Sequence, residues 1–446
     1  MIDVDSLLHC RWVIPVIPRG LALEEHAVAI ESGRIVAILP SHEAAGRYRA
    51  SETVHLPHHA LTPGLVNAHT HAAMTLLRGV GDDLPLMRWL TERIWPLEKA
   101  LVSPEFVHDG GRLAALEMLR SGTTCASDMY FYPEASVRAF RALGMRVVAG
   151  IIAIEFPTAY ASDAEDYLRK GLAARDSLRD DPLVSFTLAP HAPYTVSDAT
   201  LQRIAMLADE LDLPIHTHVH ETDDEVRRSI AQYGCRPLAR LDRLGLVSER
   251  LIAVHAVHLD DGEMALLAER GASIAHCPAS NLKLGSGIAP IADALAAGVN
   301  LAIGTDGAAS NNRVDMLSEL RLAALLAKGG SADASVLTAP NVLEAATLGG
   351  ARALGLASRI GSIEAGKEAD LVAFDLSQPE TQPLYDVISH LVYSAGREQV
   401  SDVWVGGRRV VEGRQIVASH AQPDLMPNVA AWQNRCRQVL LTAGAS

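Results

Sequence analysis

Short apolar segments alternate with amphipathic stretches along the middle of the chain, between residues 61 and 306. Eight of these segments have the length and composition of buried strands: LTPGLVNAHTH, TTCASDMY, RVVAGIIAI, LVSFTLAPHAPY, PIHTHVHE, LIAVHAV, ASIAHCPASN and VNLAIGTDGAASN. Apolar residues recur with helical spacing in 105–120, 198–211, 260–270, 315–328 and 341–356. Strands that alternate with helices form parallel βαβ units, and eight units predict a (β/α)8 TIM-type barrel, an α/β fold. An open, doubly wound sheet is the alternative on strand count, but no GxGxxG motif follows the first strand.

The two ends of the chain have a different pattern, which is rich in short β segments. Residues 11–60 contain WVIPVI, HAVAIESGRIVAIL and TVHLPHHALTPG, and VAIESGRIVAI predicts a hairpin with Ser-Gly as its turn. Near the other end, GSIEAGKEADLVAFDL and VSDVWVGGRRVVEGRQIV have the same character. We therefore predict that residues 1–60 and 366–446 form one small β-sandwich domain, beside a barrel domain of residues 61–365.

Composition and charge narrow the class of protein. The 446 residues are 49% hydrophobic and 21% charged, as in an ordinary globular chain. The longest apolar run, 147–154, is far shorter than the ~20 residues of a membrane-spanning helix, and no signal peptide is expected. The net charge is −14 without a basic block, which argues against nucleic acid as a partner.

The same features predict the setting of the protein. Its five scattered cysteines lack a CxxC pair and fit a reducing cytoplasm better than a disulfide framework. We therefore expect a cytoplasmic protein that acts on a small-molecule substrate and has no membrane partner. Homo-oligomer formation stays an open alternative, because barrels with such a β appendage often associate but the chain has no diagnostic patch.

Polar residues cluster at the predicted carboxyl ends of the strands, where the active sites of such barrels lie. The first strand ends in His69-Thr70-His71, and residues i and i+2 of a strand project to the same side. These two imidazoles can therefore hold one metal ion. In the fifth strand, His218 and Glu221 form an HxxE pair that can place a carboxylate beside a metal-bound water.

Asp306 is the fourth candidate ligand. It follows the apolar strand VNLAIG in a Gly-flanked turn that allows close backbone approach, although an Asx-turn or a helix cap is the alternative. Three nitrogens and one oxygen suit Zn²⁺, and Fe²⁺ or Mn²⁺ would also bind them. Two neighbouring histidines receive other roles: His216 is expected to be a packed interior residue and His220 a loop residue.

His255, at the end of the sixth strand, is open to two interpretations. It is either a base that holds the attacking hydroxide or a further ligand in a two-metal site. Two-metal members of this architecture commonly bridge their ions with a carboxylated lysine at the end of strand four. The chain has APHAPY there and Lys170 lies upstream in a helical stretch, so we predict a single metal ion.

The motifs around these residues resemble those of the amidohydrolase superfamily, and specifically its mononuclear aminohydrolase branch. They are PGLVNAHTH, APHAPY, HTHVHE, AVHAVHL, HCPASNLKLGSGIAP and GTDGAASNN, followed by GSIEAGKEADLV, and they span residues 62–376. Within that branch, LLRGVGDDLPLMRWLTERIWPLE, NLKLGSGIAP and GTDGAASNN are most similar to the 5′-methylthioadenosine/S-adenosylhomocysteine deaminases. Guanine deaminases and chlorotriazine hydrolases share the scaffold and stay open as alternatives. A non-catalytic homologue is disfavoured because every ligand position is filled, and a two-metal cyclic-amide hydrolase because strand four ends without a lysine.

The resemblance implies a hydrolytic deaminase that replaces the 6-amino group of an adenine nucleoside thioether by oxygen and releases ammonia, with adenosine as a further candidate substrate. It implies one Zn²⁺ per subunit, held by His69, His71, His218 and Asp306. Its catalytic residues would be Glu221, His255 and Asp306, with Glu221 shuttling protons and His255 steering the hydroxide.

The resemblance also implies a set of substrate-binding residues: Glu98, His191, Glu221, Trp89, Ser310 and Asp306. Glu98 and His191 would bind the nucleoside, and Trp89 and Ser310 would line the pocket. Without the resemblance, Glu98 fits a solvated helix charge, Trp89 a core aromatic and Ser310 a helix cap. A homocysteine carboxylate should also need an arginine, but no motif selects one from Arg169, Arg175 and Arg179.

Overall fold

Two eight-stranded sheets organise the chain, which the computed structural model describes over residues 1–417 and 425–443. The strands before the barrel are β1 (Ile2–Val13), β2 (Leu23–Glu31), β3 (Arg34–Pro40) and β4 (Tyr48–Pro63). The barrel strands are β5 (Leu65–Thr70), β6 (Thr123–Asp128), β7 (Arg146–Ala153), β8 (Val184–Pro190), β9 (Ile215–Val219), β10 (Leu251–His255), β11 (Ser273–His276) and β12 (Asn300–Ile303). The last strands are β13 (Leu371–Asp375), β14 (Val400–Val405), β15 (Arg408–Glu412) and β16 (Gln415–Ile416).

The terminal segments pair into one mixed sheet in the order β16-β15-β14-β13-β4-β1-β2-β3. Its centre joins the two ends of the chain, because β4 runs antiparallel to β13. The predicted hairpin is present, with Ser32 and Gly33 between β2 and β3, both at positive φ. The sheet curls until its first hairpin meets the segment before β13, where the Ile35 amide donates to the Lys367 carbonyl at 2.9 Å. The enclosed core includes Trp404, which is fully buried.

The middle of the chain forms the predicted TIM-type barrel. Strands β5 to β12 lie side by side in chain order, and each is parallel to its neighbour. Side chains and backbone close the seam between the first and last strands. The amide nitrogen of Asn67 donates to the Thr305 hydroxyl at 2.8 Å, and the Thr305 backbone N–H donates to the side-chain oxygen of Asn67 at 3.0 Å. The backbone N–H of Asp306 then donates to the His69 carbonyl at 3.0 Å.

The helices cover the barrel and its openings. Their bounds are α1 (Ser41–Arg47), α2 (Leu86–Trp89), α3 (Trp95–Leu101), α4 (Pro104–Arg120), α5 (Pro133–Ala142), α6 (Ala164–Leu178), α7 (Asp198–Leu211), α8 (Asp223–Tyr233), α9 (Pro237–Arg243), α10 (Asp261–Glu269), α11 (Pro278–Lys283), α12 (Ile291–Ala296), α13 (Ala308–Asn311), α14 (Met316–Ser331), α15 (Ala339–Glu344), α16 (Gly350–Ala353), α17 (Val387–Tyr393) and α18 (Met426–Ala443). Short 3-10 helices span Ala72–Leu77, Pro379–Thr381 and Arg397–Gln399, and π-helical turns span Leu90–Ile94 and Ala345–Gly349. None of the helices in the described ranges is long and apolar enough to cross a membrane.

One predicted helix, 341–356, is interrupted for a packing reason. The structure divides it into α15, the π-helical turn Ala345–Gly349 and α16. This segment presses against the strands, since a Cβ atom on Gly349 would lie 2.2 Å from the Leu301 carbonyl oxygen. The close approach requires glycine and shifts the helical hydrogen bonds locally.

The C-terminal helix α18 was not expected from sequence, and it lies on the barrel. The indole N–H of Trp432 donates to Asp109 of α4 at 3.0 Å, and its ring meets Phe106 edge-on at 5.2 Å between centroids. The sequence-based division assigns residues 426–443 to the small domain, whereas in the structure they contact the barrel. The rest of that division stays a prediction.

Candidate active site

Four polar side chains converge at the carboxyl ends of β5, β9 and β12. His69 Nε2 lies 3.3 Å from His218 Nε2 and 3.4 Å from Asp306 Oδ1. His71 Nε2 is also 3.4 Å from Asp306 Oδ1. Ligand atoms about 2.1 Å from a tetrahedral zinc ion lie about 3.4 Å from one another. These three distances are those expected between zinc ligands. The donor atoms form two groups that share His69, one with His71 and Asp306 and one with His218 and His255.

Hydrogen bonds on the far side of the rings orient two of these histidines. The Nδ1 atom of His71 lies 2.6 Å from the Met129 carbonyl, and that of His218 lies 2.6 Å from the His191 carbonyl. A carbonyl accepts a proton, so each Nδ1 carries the hydrogen and each Nε2 keeps its lone pair for the centre of the cluster.

The third histidine, His69, is held by another imidazole. Its Nδ1 lies 2.9 Å from His216 Nε2, and His216 Nδ1 lies 3.3 Å from the Ser127 hydroxyl. The structure thus places His216 inside the barrel, as expected, and also gives it direct contact with a candidate ligand. Nothing in the HxHxH pattern of β9 distinguishes this contact from ordinary packing.

Asp306 is fixed by several donors. Its Oδ2 accepts hydrogen bonds from the hydroxyls of Ser280 at 2.6 Å and Ser310 at 2.8 Å, and its Oδ1 accepts from the Gly307 N–H at 2.7 Å. Ser310 is therefore behind Asp306, and it is not among the residues that line the cavity. This corrects the expectation that Ser310 lines the pocket: the short helix α13 turns its hydroxyl towards the carboxylate.

Burial sets the protonation of this cluster. It lowers the pKa of His69 to about 4 and the pKa of His218 well below its usual value, so both imidazoles are neutral near pH 7. Burial also opposes ionisation of Asp306, but its interactions with His69, His71 and His255 hold its pKa well below the usual range. The cluster therefore combines neutral nitrogens with one anionic oxygen.

Two more polar residues face this cluster. His255 Nε2 lies 3.8 Å from Glu221 Oε1, and the His255 ring stacks on His218 with 5.4 Å between centroids. The other ring nitrogen of His255 lies 2.8 Å from Asn281 Oδ1, a contact that sequence reasoning missed although Asn281 belongs to the HCPASN motif. Burial raises the pKa of Glu221 well above its usual value, with further contributions from Asp306 and Glu225.

His220 is in the loop after β9, as expected, but it is fully buried. Its Nε2 accepts a hydrogen bond from the Leu238 N–H at 3.1 Å and lies 3.2 Å from Glu263. It therefore points away from the cluster and ties the loop to α9 and α10.

A cavity of about 670 Å³ opens from the cluster, and Glu98, His191 and Trp89 line it. Burial raises the pKa of Glu98 to about 7, although its hydrogen bond from the Tyr130 hydroxyl, at 2.7 Å, lowers it. Sequence reasoning missed Tyr130, which has no motif of its own. The Trp89 indole N–H is buried and finds no hydrogen-bond partner among the described residues.

None of the three candidate arginines lies on the cavity wall. Arg169 pairs with Asp166 at 2.5 Å and Arg175 pairs with Asp176 at 3.0 Å, both on α6. Arg179 is exposed just after the same helix. The structure therefore assigns no arginine to a substrate carboxylate.

Comparisons with known proteins agree with this geometry. The model of a family described as the amidohydrolase family matches residues 60–410. A 5-methylthioadenosine/S-adenosylhomocysteine deaminase from Teredinibacter turnerae is 44% identical over 432 residues, covering 97% of this chain and 98% of that protein. The crystal structure of an adenosine deaminase from Xanthomonas campestris with bound zinc is 54% identical with a TM-score of 0.96, covering 98% of this chain and 99% of that one. A variant of an atrazine chlorohydrolase from Arthrobacter aurescens, crystallised with zinc and atraton, is 25% identical with a TM-score of 0.87, covering 98% of this chain and 100% of that one.

Proposed function

The chain belongs to the amidohydrolase family, and we propose that it is a metal-dependent hydrolytic deaminase of adenine nucleosides that carry a thioether at the 5′ carbon. The substrates would be 5′-methylthioadenosine, S-adenosylhomocysteine or both, with adenosine as a further candidate. One observation carries the proposal: three histidines and one aspartate, His69, His71, His218 and Asp306, cluster beside a cavity whose wall holds the carboxyl groups of Glu221 and Glu98.

We propose that His69, His71, His218 and Asp306 hold one zinc ion per subunit. Fe²⁺ or Mn²⁺ would fit the same donor set. When bound, the ion lowers the pKa of a water from ~16 to about 7 and so provides a nucleophile at neutral pH. The bound zinc of the Xanthomonas campestris adenosine deaminase supports this assignment.

The residues of the chain would then move two protons. Asp306 and His255 would accept one proton of the attacking water and pass it to the 6-amino group, which leaves as ammonia, while the C6 hydroxyl returns its proton to Glu221. The contact of His255 Nδ1 with Asn281 turns Nε2 towards the cavity. Glu221 donates a proton to N1 of the purine ring, which makes C6 more electrophilic. The burial that raises the pKa of Glu221 favours the protonated form from which this proton would come. General acid–base catalysis of this type contributes ~10²–10⁴-fold.

Glu98 and His191 would bind the sugar of the nucleoside. Tyr130 occupies one oxygen of Glu98, which leaves the other free to accept a ribose hydroxyl. His191 Nδ1 lies 3.0 Å from the Thr195 hydroxyl, so its Nε2 remains available to the ligand. Because Glu98 and His191 would bind a sugar, they favour a nucleoside over a free base or a triazine.

The protein is proposed to act in the cytoplasm. All five cysteines are free thiols in the structure, as expected in a reducing compartment.

The test is a substrate series with the zinc-loaded protein, in which ammonia release and the loss of adenine absorbance are followed together. The series contains 5′-methylthioadenosine, S-adenosylhomocysteine, adenosine and adenine, with guanine and atrazine as controls. We expect turnover of the nucleosides, its loss on chelation and its return with zinc. If guanine or atrazine is turned over but none of the nucleosides is, the proposed metal chemistry would stand and the proposed substrate class would be wrong. Undiminished turnover after complete metal removal would reject the metal centre.

A further inference from the structure

The geometry points to a preference within the proposed substrate class. We infer that the site favours a 5′ substituent that is uncharged and apolar, such as a methylthio group, over the zwitterionic homocysteine tail of S-adenosylhomocysteine. The inference rests on the proposed function and concerns the part of the cavity beyond Glu98.

Several apolar side chains line one part of the cavity. Leu90 and Ile94 come from the π-helical turn before α3, Trp95 begins α3, and Phe156 and Pro157 follow β7. The rings of Trp95 and Phe156 are 6.3 Å apart between centroids and meet at 62°. The two rings therefore contact each other edge-on within the lining of the cavity.

This wall lies within reach of the 5′ position. Trp95 and Ile94 precede Glu98 by about one helical turn and share its face of the helix, a separation of about 5 Å along the axis. A sugar whose hydroxyls bind Glu98 therefore presents its 5′ substituent to Trp95, Ile94 and the facing loop. A methylthio group gains from burial against such a surface.

The wall offers little to a charged tail. Among the described residues that line the cavity, Lys99 is the one lysine or arginine, and it is exposed at the rim. Residues 418–424 and 444–446 contain neither lysine nor arginine. A carboxylate or ammonium that leaves water without a charged or hydrogen-bonding partner pays a desolvation penalty.

The cations of the neighbouring helix α6 are already paired. Lys170 donates to the Tyr160 carbonyl at 2.5 Å and lies 3.0 Å from Asp166. Arg169 pairs with the same carboxylate. Recruiting either side chain for a substrate carboxylate would break these contacts. Lys99 would then be the one cation left to pair with the carboxylate of the homocysteine tail.

The test compares kcat/KM for three nucleosides with the zinc-loaded, full-length protein: 5′-methylthioadenosine, S-adenosylhomocysteine and 5′-butylthioadenosine. The butyl compound has a tail of similar length to homocysteine but no charge, so it separates charge from size. We expect the methylthio substrate to exceed S-adenosylhomocysteine by about tenfold or more, with the butyl compound close to the methylthio one. Equal or better use of S-adenosylhomocysteine would overturn the inference and leave the deaminase proposal intact, whereas failure to deaminate any nucleoside would overturn both.

Phe156→Arg gives a second, independent readout. Phe156 is 42% exposed, so a longer polar side chain can be accommodated at the mouth. The new guanidinium should raise kcat/KM for S-adenosylhomocysteine relative to the methylthio substrate, and Phe156→Met should retain the wild-type order. If Phe156→Arg binds zinc normally but leaves the ratio unchanged, this wall does not face the 5′ substituent and the inference is wrong. If the variant does not fold, the comparison of the three nucleosides with the wild-type protein still tests the inference.

Discussion

The Nδ1 atom of His69 lies 2.9 Å from the Nε2 atom of His216, and both imidazoles are completely buried. The rings meet edge-on, with 4.9 Å between their centroids. The contact uses the nitrogen of His69 that faces away from Asp306 and so directs the other nitrogen into the cluster. A candidate ligand on β5 is thus oriented from β9, across the interior of the barrel.

Replacement of His216 should therefore weaken metal binding without removing a ligand. We expect His216→Ala to lower zinc affinity by about 10–100-fold, the usual effect of losing a partner that orients a metal ligand. Competition with a chromophoric chelator measures this. His59→Ala, which removes a half-buried histidine of the other sheet, is the matched control and should bind zinc like the wild type. Unchanged zinc affinity in His216→Ala would show that β5 alone orients His69.

Gly304→Ala should disturb the same ligand through its backbone. A Cβ atom at this position would lie 2.9 Å from both the Cβ and the backbone nitrogen of His69. Since backbone cannot yield as a side chain can, the end of β5 must move, and we expect reduced zinc content and a lower melting temperature. Gly329→Ala on α14 is the control, because a Cβ there meets nothing within 4 Å and alanine favours a helix by up to about 1 kcal/mol. Equal zinc content in the two variants would contradict this account.

Glu221→Gln should separate chemistry from metal binding. The amide keeps the size of the side chain but cannot donate the proton that N1 of the purine requires. We expect kcat to fall by about 10²-fold or more while zinc content stays at the wild-type level. Steady-state kinetics and metal analysis on the same preparation measure the fall in kcat and the zinc content. Near-native turnover would show that another group protonates the ring.

Much of the fold could be predicted because the hydrophobic pattern of each strand is contained in a short stretch of sequence. Strands buried on both faces appear as apolar runs, and each of the strands β5 to β12 lies within one of the predicted segments. Helix α18 could not be predicted in the same way. It is held to the barrel by Trp432 and its hydrogen bond to Asp109, a contact between residues far apart in sequence.

The candidate site also combines residues that could be predicted from the sequence with residues that could not. The structure brings together His69, His71, His218 and Asp306, which sequence reasoning selected because they lie at or just after the carboxyl ends of predicted strands. The residues that orient them are ordinary in sequence: a second histidine on β9, and Ser280 and Ser310 beside Asp306. Their roles depend on the barrel closing between β5 and β12, and that geometry is not encoded in any single motif.

Glu98 should make substrate binding depend on pH. Its pKa of about 7 means that the carboxyl is mostly neutral below this pH and ionised above it. The ionised form is the better acceptor for ribose hydroxyls, so we expect KM for the nucleoside to rise as the pH falls from 8 to 6, beyond any change in kcat. Steady-state kinetics across this range measure the effect. Glu98→Gln should have a higher KM that no longer varies in this way.

Tyr130→Phe provides a sharper form of the same test. The hydrogen bond from Tyr130 lowers the pKa of Glu98, so its loss should move the KM transition to higher pH. A purely structural role for Tyr130 would change stability but leave the transition in place. We also expect a higher KM at pH 7 with kcat nearly unchanged, because Tyr130 positions Glu98 and does not touch the reacting ring.

Arg146 should stabilise the junction between the two sheets. It is 1% exposed at the start of β7, and its guanidinium makes two hydrogen bonds of 3.0 Å to Asp370, just before β13. We expect Arg146→Met to lower the free energy of unfolding by about 3–5 kcal/mol, because the Asp370 carboxylate is left buried without its cation. Adding Asp370→Asn should restore part of this loss, since the unpaired charge of Asp370 is then removed, whereas Arg227→Met at an exposed ion pair should change stability by less than about 1 kcal/mol. Urea unfolding of the zinc-loaded variants measures these differences, and additive losses in the double variant would show that the pair is not coupled.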